Sequence, residues 1–303
     1  LIRYNGGVTV IAHLSDPHLG PLPSFSPFDL MSKRGLGAIN YFRRRRKWHD
    51  MAVLDQIVAD IVEEEPDAVA CTGDLTNLAL EKEFVPAAVF LGRLGEPDRV
   101  AAIPGNHDAY VSTAASAPAR VWGANMSSDD GRVGFPFVRR HGKVALIGLS
   151  SAVPTWPLAA TGEVGAIQRD AVGPMLKGLK EEGFFRMLLV HHPLAEDDTP
   201  WMRRLRDAAL LREIVAREGA ELVLHGHNHE PARRAIAGPD GPVPVIGVPS
   251  CSAGPLSHEP LAGYNLYDVE GEPGAWRCEV TTRGLTPDGQ IKETDRYMLG
   301  KDR

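Results

Sequence analysis

The chain has 303 residues, 43% of them hydrophobic and 24% charged, and a formal net charge of −6. That length supports one large core or two small ones without staples. The acidic balance argues against nucleic-acid polymers as partners, because binding them calls for a basic surface. Three cysteines, Cys71, Cys251 and Cys278, show no CxxC spacing, which disfavours a secreted disulfide framework and makes a cytoplasmic chain the expectation.

In chain order, an apolar run at 8–14 reads as a strand and not as a signal peptide, because it ends directly in Asp16-Pro17-His18. Residues 20–48 lack a strand pattern and read as an insertion. Within them KRGLGAINYFRRRRK carries seven basic residues and no acid, a local anion-attracting feature on an acidic protein. At 51–64 Met51, Leu54, Ile57, Val58, Ile61 and Val62 share one helical face. Strand-like runs at 68–71 and 100–103 lead into Gly73-Asp74 and Gly105-Asn106-His107-Asp108. Residues 110–138 read as a second insertion. Runs at 144–149 and 185–190 follow, the latter ending in His191-His192-Pro193. A helix is expected at 201–217, then a strand at 222–224 ending in Gly226-His227-Asn228-His229. Runs at 243–248, 264–269 and 276–282, separated by Gly and Pro turns, predict a meander completing a second sheet. No run approaches the roughly 20 apolar residues of a spanning helix. With no repeat or linker in view, residues 1–303 are expected to form a single domain, its insertions on the ligand-bearing rim.

Helix and strand alternate, which predicts an α/β fold with a largely parallel sheet, and in such folds the strand ends converge at one rim. The five motifs therefore assemble carboxylate, imidazole and amide donors in one place. Asp16 and His18 are two apart, as are His227 and His229, so each pair can face one ion from an extended segment. Taken singly each motif has an ordinary explanation. An Asp after Gly is commonly a turn or cap, Asn-His-Asp an Asx turn, and paired histidines packed core. Five such coincidences at five strand ends do not fit those explanations together. His13, inside the first strand, and His225, at the end of another, read as core and strand end.

The set DxH, GD, GNH(D/E), HxP and GHxH resembles the calcineurin-like metallophosphoesterase family, with every motif intact from Asp16 to His229. Within that family it is most similar to the bacterial cyclic-nucleotide phosphodiesterases. The resemblance implies a four-layer fold, two packed mixed β-sheets flanked by helices. It implies two metal ions, one held by Asp16, His18 and His229, the other by Asn106, His191 and His227, with Asp74 bridging. His192 is left as a supporting or core residue. With no thiolate in the set, Mn, Fe, Zn or Co suit the donors. The expected reaction is attack of metal-activated hydroxide on a phosphodiester, a cyclic nucleotide being one candidate. His107 is expected at the leaving-group oxygen, with Asp108 orienting it. Thr76 and Asn77 serve equally as supports of the site or as helix caps.

Two other readings stay open. The segment 39–48, with apolar residues around Arg43-Arg44-Arg45-Arg46, suits an interfacial helix on an anionic membrane. That would fit relatives that cleave the pyrophosphate of a nucleotide-linked lipid such as UDP-diacylglucosamine, at the inner membrane face. A non-catalytic protein-binding scaffold is disfavoured by the intact ligand set.

Overall fold

The computed structural model describes residues 7–30, 32–195 and 199–300. Twelve strands form two six-stranded mixed sheets. In the first sheet β1 (Thr9–Leu14), β2 (Ala68–Cys71) and β3 (Val100–Ala102) run parallel, and β10 (Gly263–Glu270), β11 (Arg277–Leu285) and β12 (Ile291–Met298) add an antiparallel meander on the other side of β1. In the second, β5 (Val144–Gly148), β6 (Phe185–Leu189), β7 (Leu222–His225) and β9 (Val243–Gly247) are parallel, with β4 (Phe137–His141) and β8 (Ala232–Ile236) antiparallel at the two edges.

The packing follows from strand alternation. Val144, Leu146, Leu222 and Leu224 face the core between the sheets, while Ala145, Ile147 and Val223 face the opposite way, toward Leu176 and Leu211. Those two belong to helices on the outer face, α6 (Ala166–Glu181) and α7 (Ala208–Glu218). On the first sheet the outer helices are α3 (Met51–Glu63) and α4 (Phe84–Leu94), which bury Leu54, Ile57, Ile61 and Phe90. Strands buried on both faces are near-continuously apolar for this reason.

Two expectations fail. The tail does not complete one sheet as a meander: β9 joins the second sheet, while β10 to β12 join the first. All of β1 is buried, so its edge away from β2 must be paired. The antiparallel register Thr9↔Val269 to His13↔Asn265 supplies that. The helix predicted at 201–217 begins only at Ala208. Upstream, Trp201–Arg203 is a single tight turn, and the backbone of Arg206 donates to Gly162 O, tying 204–206 to a neighbouring loop.

The insertion at 20–48 is helical. Helix α1 (Lys33–Asn40) passes through a π-helical turn at Tyr41–Arg45 into the short α2 (Arg46–Trp48). The segment 110–138 holds α5 (Ala117–Trp122) and runs into the start of β4. Among the described residues no helix is long and apolar enough to cross a membrane.

Candidate active site

Five loops at one rim are tied to each other by main-chain bonds. Asp16 N–H donates to Gly73 O (2.9 Å), His18 N–H to Asp74 O (3.0 Å), and Gly226 N–H to His191 O (3.1 Å). Their glycines have a spatial reason. A Cβ on Gly73, at φ +105°, would meet the backbone of Gly105, and one on Gly226 would strike the side chains of Ser15 and Asp16. Backbone strain concentrates here too. Five of the eight non-glycine residues with positive φ among the described residues are Asp16, His18, Asp74, His227 and His229. Such conformations persist where surrounding structure imposes them, commonly at functional sites.

The seven residues singled out as ligands come together, all of them buried. His18 Nε2 lies 3.2 Å from His229 Nε2, which lies 3.2 Å from Asp16 Oδ1. On the other side His191 Nε2 is 3.2 Å from Asn106 Oδ1 and 3.5 Å from Asp74 Oδ2. Asp74 Oδ2 is also 3.8 Å from His18 Nε2, so Asp74 stands between the two groups. Donor atoms of Asp74, His191 and His227 lie within 4.8 Å of one another, as do those of Asp16, His18 and Asp74.

This donor set fits cations. His227 Nε2 is buried without a hydrogen-bond partner, and buried polar atoms are rarely left so. His191 Nδ1 donates to Thr72 O (2.7 Å), which turns Nε2 inward toward Asn106 and Asp74, and His229 Nδ1 is held by Glu259 Oε2 (2.8 Å). The electrostatics agree. Burial alone would raise the Asp74 pKa, but His191 and His107 hold the carboxyl well below the usual range. Asp16 is likewise lowered against burial, by His229. In return, burial is outweighed at His191 by Asp74, pushing it up to about 9, and at His229 by Asp16 and Glu259, pushing it up to about 10. Two buried carboxylates demand positive charge between them. His18 and His227 are depressed well below the ordinary value, by burial first.

His107 borders the cluster without joining it. Its Nδ1 lies 2.6 Å from Asn77 O, an acceptor, so Nδ1 carries the proton. Its Nε2 faces Arg45 Nη2 at 2.7 Å. Burial, then the Arg45 charge, lowers the imidazole to about 3. The ring stacks on Tyr110 at 5.2 Å, and Lys33 Nζ sits 4.4 Å from the Tyr110 centroid.

Asp108 does not orient His107. Its carboxylate accepts from the N–H groups of Gly105, Leu75 and Thr76 and from Thr76 Oγ1. It thereby pins the turn carrying Asp74, and the carbonyl of Asn77 does the orienting instead. Burial and the nearby Asp74 charge push Asp108 up to about 7. His13 is a core residue bonded to Thr72 Oγ1, and His192 is buried between Ser151 Oγ and Ala160 O.

Sequence reasoning missed Arg45 as a site residue, His49, Glu259 and Arg203, all lining a cavity of about 200 Å³ with Asp74, Asn106 and His107. Only Arg45 left a signal, as one of four arginines whose attraction for anions did not say which of them enters the site.

Two packed mixed sheets between helices, with a paired carboxylate and imidazole cluster at the rim, define a dimetal phosphoesterase scaffold. The sequence model of the calcineurin-like phosphoesterases matches residues 9–231, and the chain belongs to that family. It is similar in fold to a dimetal phosphatase from Danio rerio, with 11% identity, TM-score 0.62, and coverage of 97% of this chain and 99% of that one. It is also similar to the purple acid phosphatase PPD1 of yellow lupin (Lupinus luteus) seeds, with 13% identity, TM-score 0.56, and coverage of 96% of this chain and 53% of that one. The chain thus spans about half the lupin enzyme's length. No curated protein matches it. The family and fold make this a metal-dependent phosphoric ester hydrolase.

Proposed function

We propose that the chain hydrolyses a phosphodiester, acting as one domain with rim insertions at about 20–48 and 110–138. Asp16, His18 and His229 would hold one cation, and Asn106, His191 and His227 the other. Asp74 would serve both. When bound, such a pair of cations supplies positive charge to the phosphoryl oxygens and acidifies water.

The chain's own residues supply the rest. The observation that carries the diester reading is Arg45, whose guanidinium projects from the π-helical turn onto His107, where the imidazole Nε2, not a carboxylate, accepts from Nη2. A cation placed there without an acid in contact is suited to a substrate anion. Because Nε2 of His107 lacks a proton, Arg45 presents the N–H groups at the leaving-group side. An arriving phosphate raises the His107 pKa by its charge, so His107 can then hold a proton for the departing oxygen. Arg44, Arg203 and Asn228 extend the cavity wall beyond the site of cleavage. They give a second ester substituent somewhere to lie, as a nucleotide would require. The test is the ratio of kcat/KM for bis(p-nitrophenyl) phosphate and cyclic AMP over p-nitrophenyl phosphate on metal-loaded protein. A ratio above one is expected, and a strong monoester preference overturns the reading.

A second reading, a lipid-linked phosphate ester taken from an anionic membrane, has its own observation. Phe28, Leu36, Ile39 and Phe42 are exposed on the insertion. Exposed Trp156 and Leu158 lie beside it, where Lys33 bonds Thr155 and Ala159. Leu256 shares a groove with Arg43, Arg44 and Lys47. Apolar side chains interleaved with cations around a site mouth suit a membrane surface. Hydrolysis of UDP-diacylglucosamine in mixed micelles, set against cyclic AMP, separates the two.

A further inference from the structure

The segment 48–50 lies alongside 252–254. Asp50 N–H donates to Ser252 O and Gly254 N–H to Trp48 O, both at 2.8 Å, with His49 opposite Ala253. This clamp carries the His49 side chain into the site from the insertion and from no family motif. His49 is 8% exposed. Its Nδ1 lies 2.8 Å from Ser252 Oγ, and Ser250 Oγ, which donates to Asp16 O, stands 3.4 Å away. Its Nε2 is buried with no hydrogen-bond partner. The ring centroid is 4.7 Å from that of His18 and 5.9 Å from that of His229, and donor atoms of His18, His49 and His229 lie within 4.8 Å of one another.

We propose that His49 is a ligand of the cation held by Asp16, His18 and His229, bound through Nε2, with Ser252 fixing the ring. The inference rests on the metal reading above and goes further, because it makes the two sites unequal. The Asp16 site then has three imidazoles and two carboxylates, whereas the Asn106 site has two imidazoles, one amide and the shared Asp74. A nitrogen-rich set favours Zn, Co, Ni or Fe over Mg or Ca. The orphaned Nε2 counts because of where it lies. His13 and His141 also leave a buried ring nitrogen without a partner, but among the described residues it is His49 whose donor atom lies within 4.8 Å of those of His18 and His229. The packed His192, by contrast, satisfies both nitrogens through Ser151 and Ala160. A hydroxyl behind Nδ1 is the arrangement that orients a ligating imidazole.

The experiment is a titration of the cation-stripped full chain with Co²⁺ alone, followed by calorimetry and by the visible absorption of the bound ion. Wild type should bind two ions. His49→Ala should weaken one site by roughly 100-fold, leave the other within threefold, and change the visible band of the weakened site. Ser252→Ala, which keeps the imidazole but frees its orientation, should weaken the same site by about 10-fold. It guards against a His49→Ala chain that does not fold. Unchanged affinities and bands in both variants overturn the proposal. So does a His49→Ala enzyme with wild-type Co²⁺ binding and a raised KM, which would make His49 a substrate contact. Failure of wild type to bind Co²⁺ at all overturns the metal reading itself.

Discussion

The site is built from two regions made differently. The five strand-end loops are fixed by the sheets, their ligand atoms aimed inward by parallel register and by glycines at points of contact between loops. The insertion 20–48, together with the clamp at 48–50 that ends it, is a helical arm tethered through Lys33, Arg34 and that clamp, and it reaches over the loops with Arg45 and His49. The first region carries the seven candidate ligands that the motifs supply. The second adds His49 beside them and brings Arg45 onto His107, so on the proposed function substrate choice would fall to the second piece of chain.

The sharpest way to break this division is Asp74→Asn. Asp74 Oδ2 faces His18 and His191, and Oδ1 accepts from His107 N–H at 2.7 Å. Removing its charge should abolish hydrolysis and lower metal content at both sites, read by elemental analysis. A variant with two ions and near-normal turnover would end the binuclear assignment. Next in size is His107→Ala, whose ring packs edge-on against His18 with centroids 5.0 Å apart but is not among the grouped donor side chains. Metal content should stay at two while kcat falls by about 10²–10⁴. The loss should be smaller with p-nitrophenolate than with an alkoxide leaving group. Equal losses on both substrates would remove His107 from the leaving-group side.

The arm can be dissected within its own basic run. Arg45 points into the site, while Arg43, Arg46 and Lys47 are exposed. Arg45→Ala should raise KM for a soluble diester by about tenfold, the usual cost of one charge-assisted contact of about 1.4 kcal/mol or more, and leave vesicle binding unchanged. Neutralising Arg43, Arg46 and Lys47 together should do the reverse, weakening association with phosphatidylserine vesicles by about 1 kcal/mol per charge. If the triple variant binds vesicles as wild type does, the exposed run is a solvated face and the membrane reading fails.

Motifs at strand ends were legible because the geometry that unites them is generic. Parallel strands deliver their carboxyl ends to one rim, so Asp16, Asp74, Asn106, His191 and His227 could be brought together without knowing a single contact. Arg45 was visible only as one member of a basic run, since four arginines on a helix give no sign that a π-helical turn rotates one of them inward. His49 and Glu259 were not legible. Each reaches the site through contacts distant in sequence, His49 at Ser250 and Ser252 and Glu259 at His229, and neither sits in a pattern of its own. Asp108 shows the opposite error. Adjacency to His107 in sequence suggested a partnership, but the turn sends its carboxylate to the backbone of 75–76. The tail was misplaced because periodicity marks a strand without saying which sheet has an unpaired edge.

The smallest effect tests the strand-end region alone, through pH. In the cation-free protein His191 is raised to about 9 and His229 to about 10, against an ordinary value near 6.5, because Asp74 and Asp16 hold their protons. A histidine whose folded pKa is raised contributes stability that is complete below the unfolded pKa and is lost as pH climbs through the folded one. The Tm of the chelator-treated protein should therefore decline from about pH 6.5 to about pH 10. Cations occupying the same place require both imidazoles unprotonated, so the loaded protein should be nearly level over that window, and loading at pH 7 should release protons. Calorimetry of cation binding in buffers of different ionisation enthalpy counts them, with up to two expected. The arm's histidine offers no such titration, because burial and like charge depress His49, and its Lys33, lowered to about 8 chiefly by burial, acts with the opposite sign, gaining stability as pH climbs past that value. His49→Ala should then leave the slope of Tm against pH unchanged. A slope that vanishes in that variant would place the protons on the arm and erase the division between the two regions.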